Sequence, residues 1–200
     1  RSKLSKRQGD VAVEDYRRAG YLPEAIVNFV ALLGWNPSAD REIFTKDELA
    51  EEFDLGKINR GGAVFNLEKL DWMNGEYIKR LPDDRFLALA LPFLVEAEAV
   101  IEKEKQKFAK GGWPLTDEMV IRAISLERPR VKTLKELSEG VAFLFDEPSY
   151  DAAMLPGKKG TPEIARERLA GMREFLAGLG KEYDDNKVLE AACIAFVKER

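Results

Sequence analysis

The chain has no histidine and a single cysteine among 200 residues, and these two shortages exclude a good deal of chemistry. Imidazole is the commonest metal-ligating side chain and the usual general base near neutral pH. The customary zinc sites and nucleophile–base triads therefore cannot be assembled from these residues. One thiol, Cys193, rules out a disulfide framework. It lies in the helical pattern AACIAFV and reads as a small buried hydrophobe rather than a reactive group. Long apolar runs are missing too: none approaches the roughly 18 residues of a membrane span, and the charges of the first ten residues have no apolar segment behind them. A soluble, cytoplasmic protein without a membrane partner is expected. Any catalysis it joins must work by positioning and charge, and no metal site is expected within it.

What is present is ordinary for a globular chain: 45% hydrophobic, 34% charged, net charge −4, enough for one large domain or two small ones. Against this acidic balance, the opening RSKLSKRQGD sets Arg1, Lys3, Lys6 and Arg7 within seven residues, with Gly9 close behind. Such a loop suits an anion. By spacing alone the signal is weak, because a lysine cluster on a surface loop is usually a solvated charge run.

Beyond the loop the pattern predicts helix after helix. In VEDYRRAGYLPEAIVNFVALLGW, Ile26, Val27, Phe29, Val30 and Leu33 mark a face expected to pack in the core; Pro23 suits a first turn and Gly34 stops the run. Thr45 and Glu48 form a capping box ahead of DELAEEF. Asn59, Gly61 and Gly62 predict a turn leading to a short extended piece. Asn66 caps LEKLDWMNGEYIKRL, whose stripe is Leu67, Leu70, Met73 and Ile78, with Asn74 and Gly75 expected to loosen its middle. Pro82-Asp83-Asp84 reads as a boundary. After it every segment reads as helix, opened by Asp83, Thr116, Thr133 with Glu136, Thr161-Pro162, and Asp185 or Asn186. DEPSYDAAMLPGKKGTP reads as a hinge between helical subdomains. Neither end carries a start or stop signal, so a piece of a longer protein is expected, with more chain before Arg1 and after Arg200.

A second basic segment, RPRVKTLK, places Arg128, Arg130, Lys132 and Lys135 without an acid at a helix end broken by Pro129. Guanidinium groups pair with phosphates in a forked geometry and can stack on or hydrogen-bond to exposed bases, so the pattern suits a nucleic acid. A cationic helix C-terminus complementing its own dipole accounts for Arg128. It does not account for Arg130 and Lys132 beyond the proline. Net acidity is no obstacle, since affinity follows the charge that faces the phosphates.

The stretch KLSKRQGDVAVEDYRRAGYLPEAIVNFVALLGW, followed in order by REIFT, INRGGAVFNLEKLDWMNGEYI and LERPRVKTLKE, resembles bacterial-type glutamyl-tRNA synthetases of class I. The likeness starts at their second signature, the KMSKS loop, and runs to about Phe145. Leu4 stands for the signature's Met and Arg7 for its final Ser, a departure the glutamyl branch commonly shows. The resemblance implies a mainly α protein: a small mixed α/β stem-contact module followed by an all-α helical anticodon-binding bundle. The domains it implies are 1–82 (signature loop and stem-contact fold), 83–148 (helical anticodon-binding subdomain) and 149–200 (a second, truncated one).

The implied function is that of the carboxy-terminal part of a glutamate-tRNA ligase, which joins glutamate to tRNA(Glu) through a glutamyl-adenylate using ATP and magnesium. Lys6, assisted by Lys3, would contact the ATP phosphates and stabilise the transition state, with Ser5 shaping the loop. Lys69, Trp72 and Lys79 would contact the tRNA stem; Arg128, Arg130 and Lys132 would contact its anticodon side, Arg130 reading the first anticodon base. The family's other signature contains histidine and cannot lie here, so the chain alone is expected to be an inactive, monomeric tRNA binder that does not bind DNA. Two other readings are a helical RNA-binding or interaction module with no catalytic partner, and a helical scaffold that binds no nucleic acid.

Overall fold

The computed structural model describes residues 12–35, 41–58, 61–104, 106–147, 149–156, 160–180 and 185–198. They fall into two compact units, one within 1–147 and one within 148–200. No helix of the described residues is long and apolar enough to cross a membrane.

The first unit turns early, at Gly20. Its φ of +87° lies in the left-handed region, and a Cβ there would stand 2.6 Å from the Leu134 nitrogen and 2.7 Å from that of Lys135. Only glycine permits this reversal and this approach. It separates α1 (Val13–Arg18) from α2 (Pro23–Gly34), which packs on α4 (Leu67–Arg80). The face α2 buries is Ala25, Asn28 and Phe29, whereas Val27 and Val30, expected in the core, are 53% and 55% exposed. The reason is polar. Asn28 is fully buried because its Oδ1 accepts from the Phe44 amide at 2.8 Å and lies 2.7 Å from the Tyr77 hydroxyl. A hydrophobic periodicity scores that position as outward and rotates the face wrongly. Burial pushes Tyr77 up to about 12, so its hydroxyl stays a donor.

Most cap signals fall where the pattern put them. Asp83 does not, since Pro82 takes the cap position of the helix there without a side-chain bond and Asp83 is that helix's first residue. At α3 (Lys46–Glu52) the Thr45 hydroxyl accepts from the Glu48 amide at 3.2 Å, and the Glu48 carboxylate accepts from the Thr45 amide at 2.7 Å. Arg41 closes on the same carboxylate. Asn66 opens α4 by accepting from the Lys69 amide at 3.1 Å. Along α4 the buried residues are Leu70, Met73, Asn74, Gly75 and Ile78, with Leu67 half exposed. The expected loosening at Asn74 and Gly75 is absent: the helix runs through both, because each meets another segment of the fold.

Beyond Pro82 the expectation of helix throughout is corrected. After α5 (Asp83–Glu96) come three antiparallel strands in the order β1-β2-β3: β1 (Val100–Lys103), β2 (Gln106–Ala109) and β3 (Pro114–Leu115). Val100 faces Ala109 and Phe108 faces Pro114. The run EKEKQK favours helix by propensity, but Glu98 at φ 55° ends α5, and Val100 and Ala109 are drawn into the core against it. The extended piece expected near Gly61 and Gly62 amounts, among the described residues, to one isolated bridge between Trp35 and Ile58.

Then follow α6 (Asp117–Glu127) and α7 (Leu134–Val141). One buried cluster joins Leu22, Ile78, Phe86, Val100, Ile124 and Leu137, so the same core lies on both sides of Pro82. In the second unit, Thr161 caps α8 (Pro162–Ala177), and Phe175 stacks on Phe196 of α9 (Asn186–Lys198) with ring centres 4.6 Å apart. Cys193 is half-buried rather than buried.

Gly20→Ala is expected to lower unfolding stability by about 2 kcal/mol, from the left-handed conformation alone and before any steric clash. An unchanged urea midpoint would contradict the requirement for glycine. A second expectation concerns acid. The Thr45 amide, then Arg41, hold the Glu48 carboxyl down at about 2 against an ordinary 4.5, so its contribution is complete above pH 4.5 and is lost as pH falls towards 2. The stability difference between the wild type and Glu48→Gln should shrink across that window, as read by unfolding at stepped pH.

Candidate nucleic-acid interface

The segment after α6 is held backbone first. Arg130 and Val131 donate their amides to the Glu127 carbonyl at 2.9 and 3.1 Å, and the Val131 side chain is buried. Thr133 caps α7 by accepting from the Glu136 amide at 3.2 Å, while the Glu136 carboxylate accepts from the Lys132 amide at 2.8 Å. A reciprocal box would have bonded the Thr133 amide instead; reaching one residue further ties down the turn. On the far side stands α4: Asn74 donates from Nδ2 to the Lys132 carbonyl at 2.6 Å, and a Cβ on Gly75 would lie 3.1 Å from the Val131 oxygen.

Of the cations here, Arg128 points inward. Its Nε donates to the Ile78 carbonyl at 3.1 Å, Nη1 to Asp83 at 2.7 Å and Nη2 to the Leu81 carbonyl, and the guanidinium lies 4.5 Å from the centre of the Phe86 ring. It thus closes the C-terminal end of α4, another helix's end rather than its own, adding a charged donor to the Leu81 carbonyl and to the Ile78 carbonyl, which also accepts from the Leu81 amide at 3.3 Å. With its side chain 14% exposed, Arg128 holds α4, α5 and the turn together. The sequence reading of it as an RNA contact meets a side chain already engaged with the fold.

Arg130 and Lys132 point outward. The Arg130 side chain is 76% exposed and, among the described residues, bound only to Glu127 one helical turn back at 2.9 Å. Lys132 and Lys135 are exposed and have no ion pair among the described residues. Surface pairs of the Arg130–Glu127 kind contribute little and exchange readily for a phosphate. The turn therefore offers mobile charge on a fixed backbone.

The stem-side candidates lie along α4. Lys69 pairs with Glu42 at 2.5 Å and Lys79 with Glu76 at 2.7 Å, both at the surface, and Trp72 is 44% exposed, neither core nor free. Lys69 and Trp72, three residues apart, share a face. Lys3, Ser5 and Lys6 lie outside the described residues. Among those described, no group of three or more His, Cys, Asp or Glu side chains could hold a metal ion. Sequence reasoning missed Asn74. Its signal was a polar residue beside a glycine on the stripe of Leu70, Met73 and Ile78, a place where an unpaired carboxamide would be costly.

Comparison with known proteins places this geometry. A family model described as tRNA synthetases class I (E and Q), catalytic domain, matches residues 1–72, and one described as anticodon binding domain matches residues 85–200. The chain belongs to the glutamyl-tRNA synthetase family of class I. A glutamate–tRNA ligase of Clostridium novyi is 43% identical over 158 residues, 79% of this chain and 30% of that protein. One of Clostridioides difficile is 41% identical over 203 residues, 100% of this chain and 38% of that protein. Among solved structures, the glutamate tRNA ligase of Elizabethkingia meningosepticum in complex with its amino acid matches with a TM-score of 0.72 at 27% identity, over 100% of this chain and 39% of the other. The chain spans about a third of the length of these two curated relatives, 30% and 38%.

Arg128→Ala is expected to lower stability by about 2 to 3 kcal/mol, since buried carbonyls lose a charged donor. Arg130→Ala should change it by no more than about 0.5 kcal/mol, as at an ordinary surface site. Equal urea midpoints for the two variants would contradict the inward and outward assignment.

Proposed function

We propose that the chain is the tRNA-recognising part of a glutamate–tRNA ligase, an enzyme that joins glutamate to tRNA(Glu). The stem-contact module would be 1–82, meeting the tRNA through Lys69, Trp72 and Lys79; helical subdomains 83–148 and 149–200 would meet the anticodon side. Arg130, whose fork can address a base edge, and Lys132, a point charge for phosphate, are the contacts proposed at the turn. Arg128 acts there by shaping the turn. The observation that carries the reading is this pair of outward cations on an anchored backbone, inside the stretch that matches the anticodon-binding family.

Lys3 and Lys6, with Ser5 shaping the loop, are proposed to bind the phosphates of ATP. When a glutamate carboxylate oxygen bonds to the α-phosphorus and the bond to pyrophosphate breaks, negative charge grows on the phosphate oxygens. Two ammonium groups placed there stabilise the transition state more than the ground state. Magnesium accompanying ATP would supply further charge neutralisation. The protein is proposed to work as a cytoplasmic monomer.

The test is tRNA binding measured over a range of salt. The 200-residue chain should bind a tRNA(Glu) transcript with an affinity that falls steeply as salt rises. Lys132→Ala should reduce the slope of log affinity against log salt by about 1, and Arg130→Ala should relax discrimination at the first anticodon base by about 1 to 3 kcal/mol. The same chain is expected to show no aminoacylation. Binding unaffected by salt would defeat the phosphate contacts, and measurable turnover would overturn the division of labour with a separate nucleotide-binding fold.

A further inference from the structure

The basic turn is held from outside by one side chain that belongs to a different part of the fold. Asn74 sits in the middle of α4 with none of its surface exposed. Its Oδ1 accepts from the Leu22 amide at 2.8 Å, and its Nδ2 donates to the Lys132 carbonyl at 2.6 Å and to the Gly20 carbonyl at 3.4 Å. The Leu134 amide in turn donates to the Gly20 carbonyl at 3.1 Å. One carboxamide thus joins the α1–α2 reversal, α4 and the entry to α7. Gly75 lets the turn come this close: a Cβ would lie 3.1 Å from the Val131 oxygen and 3.7 Å from the Lys132 Cα.

The turn's own bonds fix its shape but not its place. Amides of Arg130 and Val131 bind Glu127, and that of Lys132 binds Glu136, all within the α6–turn–α7 segment. Placement against α4 comes from Asn74, from Gly75 and from Arg128, which grips the Ile78 and Leu81 carbonyls. Asn74 acts at the Lys132 carbonyl, next to the outward cations and on the same helix as Lys69, Trp72 and Lys79.

We propose that Asn74 is a positioning residue for RNA recognition, holding the backbone of the Arg130–Lys132 turn at a set distance from the RNA-facing side of α4 so that the two surfaces engage one tRNA in register. The proposal rests on the tRNA-binding reading above, but its mechanical half does not. Asn74→Asp keeps an acceptor for the Leu22 amide and, as a carboxylate, has no donor for the Lys132 carbonyl. Gly75→Ala leaves every Asn74 bond available while pressing on the Val131 oxygen. Neither substitution touches an RNA-facing side chain.

The experiment has two readouts on the full chain: hydrogen exchange without RNA, and affinity for a tRNA(Glu) transcript. Exchange at the Leu134 amide, which at the exit of the turn bonds the Gly20 carbonyl across segments, should quicken in Asn74→Asp while the β1–β2 amides stay protected. Affinity should fall about tenfold in each of Asn74→Asp and Gly75→Ala, and that loss should vanish when Arg130 and Lys132 are both already alanine. A residue that merely supported the fold would weaken binding equally in both backgrounds. Equal losses in the two backgrounds, or unchanged exchange at the Leu134 amide, overturn the proposal while leaving tRNA recognition standing. Absence of tRNA binding by the wild-type chain overturns the recognition reading itself. If Asn74→Asp does not fold, the Gly75→Ala cycle decides the matter alone.

Discussion

The first unit depends on a buried carboxamide that serves three backbones at once. A core of leucines and phenylalanines can bring α2, α4 and α7 together, but apolar contact is non-directional and tolerates small slides. Hydrogen bonds from one fixed amide do not. Asn74 binds the Leu22 amide, the Lys132 carbonyl and the Gly20 carbonyl, and a shift of either outer segment would cost the Leu22 amide or the Lys132 carbonyl this partner. Asn28 does similar work nearer the other end of α2, linking it to Phe44 and Tyr77. The two asparagines make the packing of this unit specific.

Charge is divided between the same two tasks. Arg128 lies against Phe86 and satisfies the end of α4, so its cation serves the fold. Arg130 and Lys132, two and four residues on, face water from a backbone that Arg128 and Asn74 have fixed. A chain of net charge −4 can in this way present local positive charge at its surface without exposing every cation it has.

Legibility in the sequence varied with how local the cause was. Caps at Thr45, Asn66, Thr116, Thr133 and Thr161 were readable because a hydroxyl or carboxamide bonds an amide three residues on. Strands β1 to β3 were not, because EKEKQK favours helix and only packing against α5 overrides it. Val27 and Val30 were misplaced for a related reason: a polar residue, Asn28, occupies the core side of their helix. Within the candidate interface, Arg130 and Lys132 stood out as cations beyond a proline, whereas the inward course of Arg128 depends on carbonyls some fifty residues away in sequence.

By itself the sequence determined the mainly helical class, where most helices begin, the chemistry ruled out by missing imidazoles, and the family to which the ordered blocks belong. All of these rest on residue types or on spacings within a few positions. Tertiary structure alone decided which arginine turns inward, where the small sheet lies, and that Asn74 and Gly75 join distant segments instead of loosening a helix. The physical reason is that a buried polar group takes its partner from whatever backbone the fold brings beside it, and no local pattern records that choice.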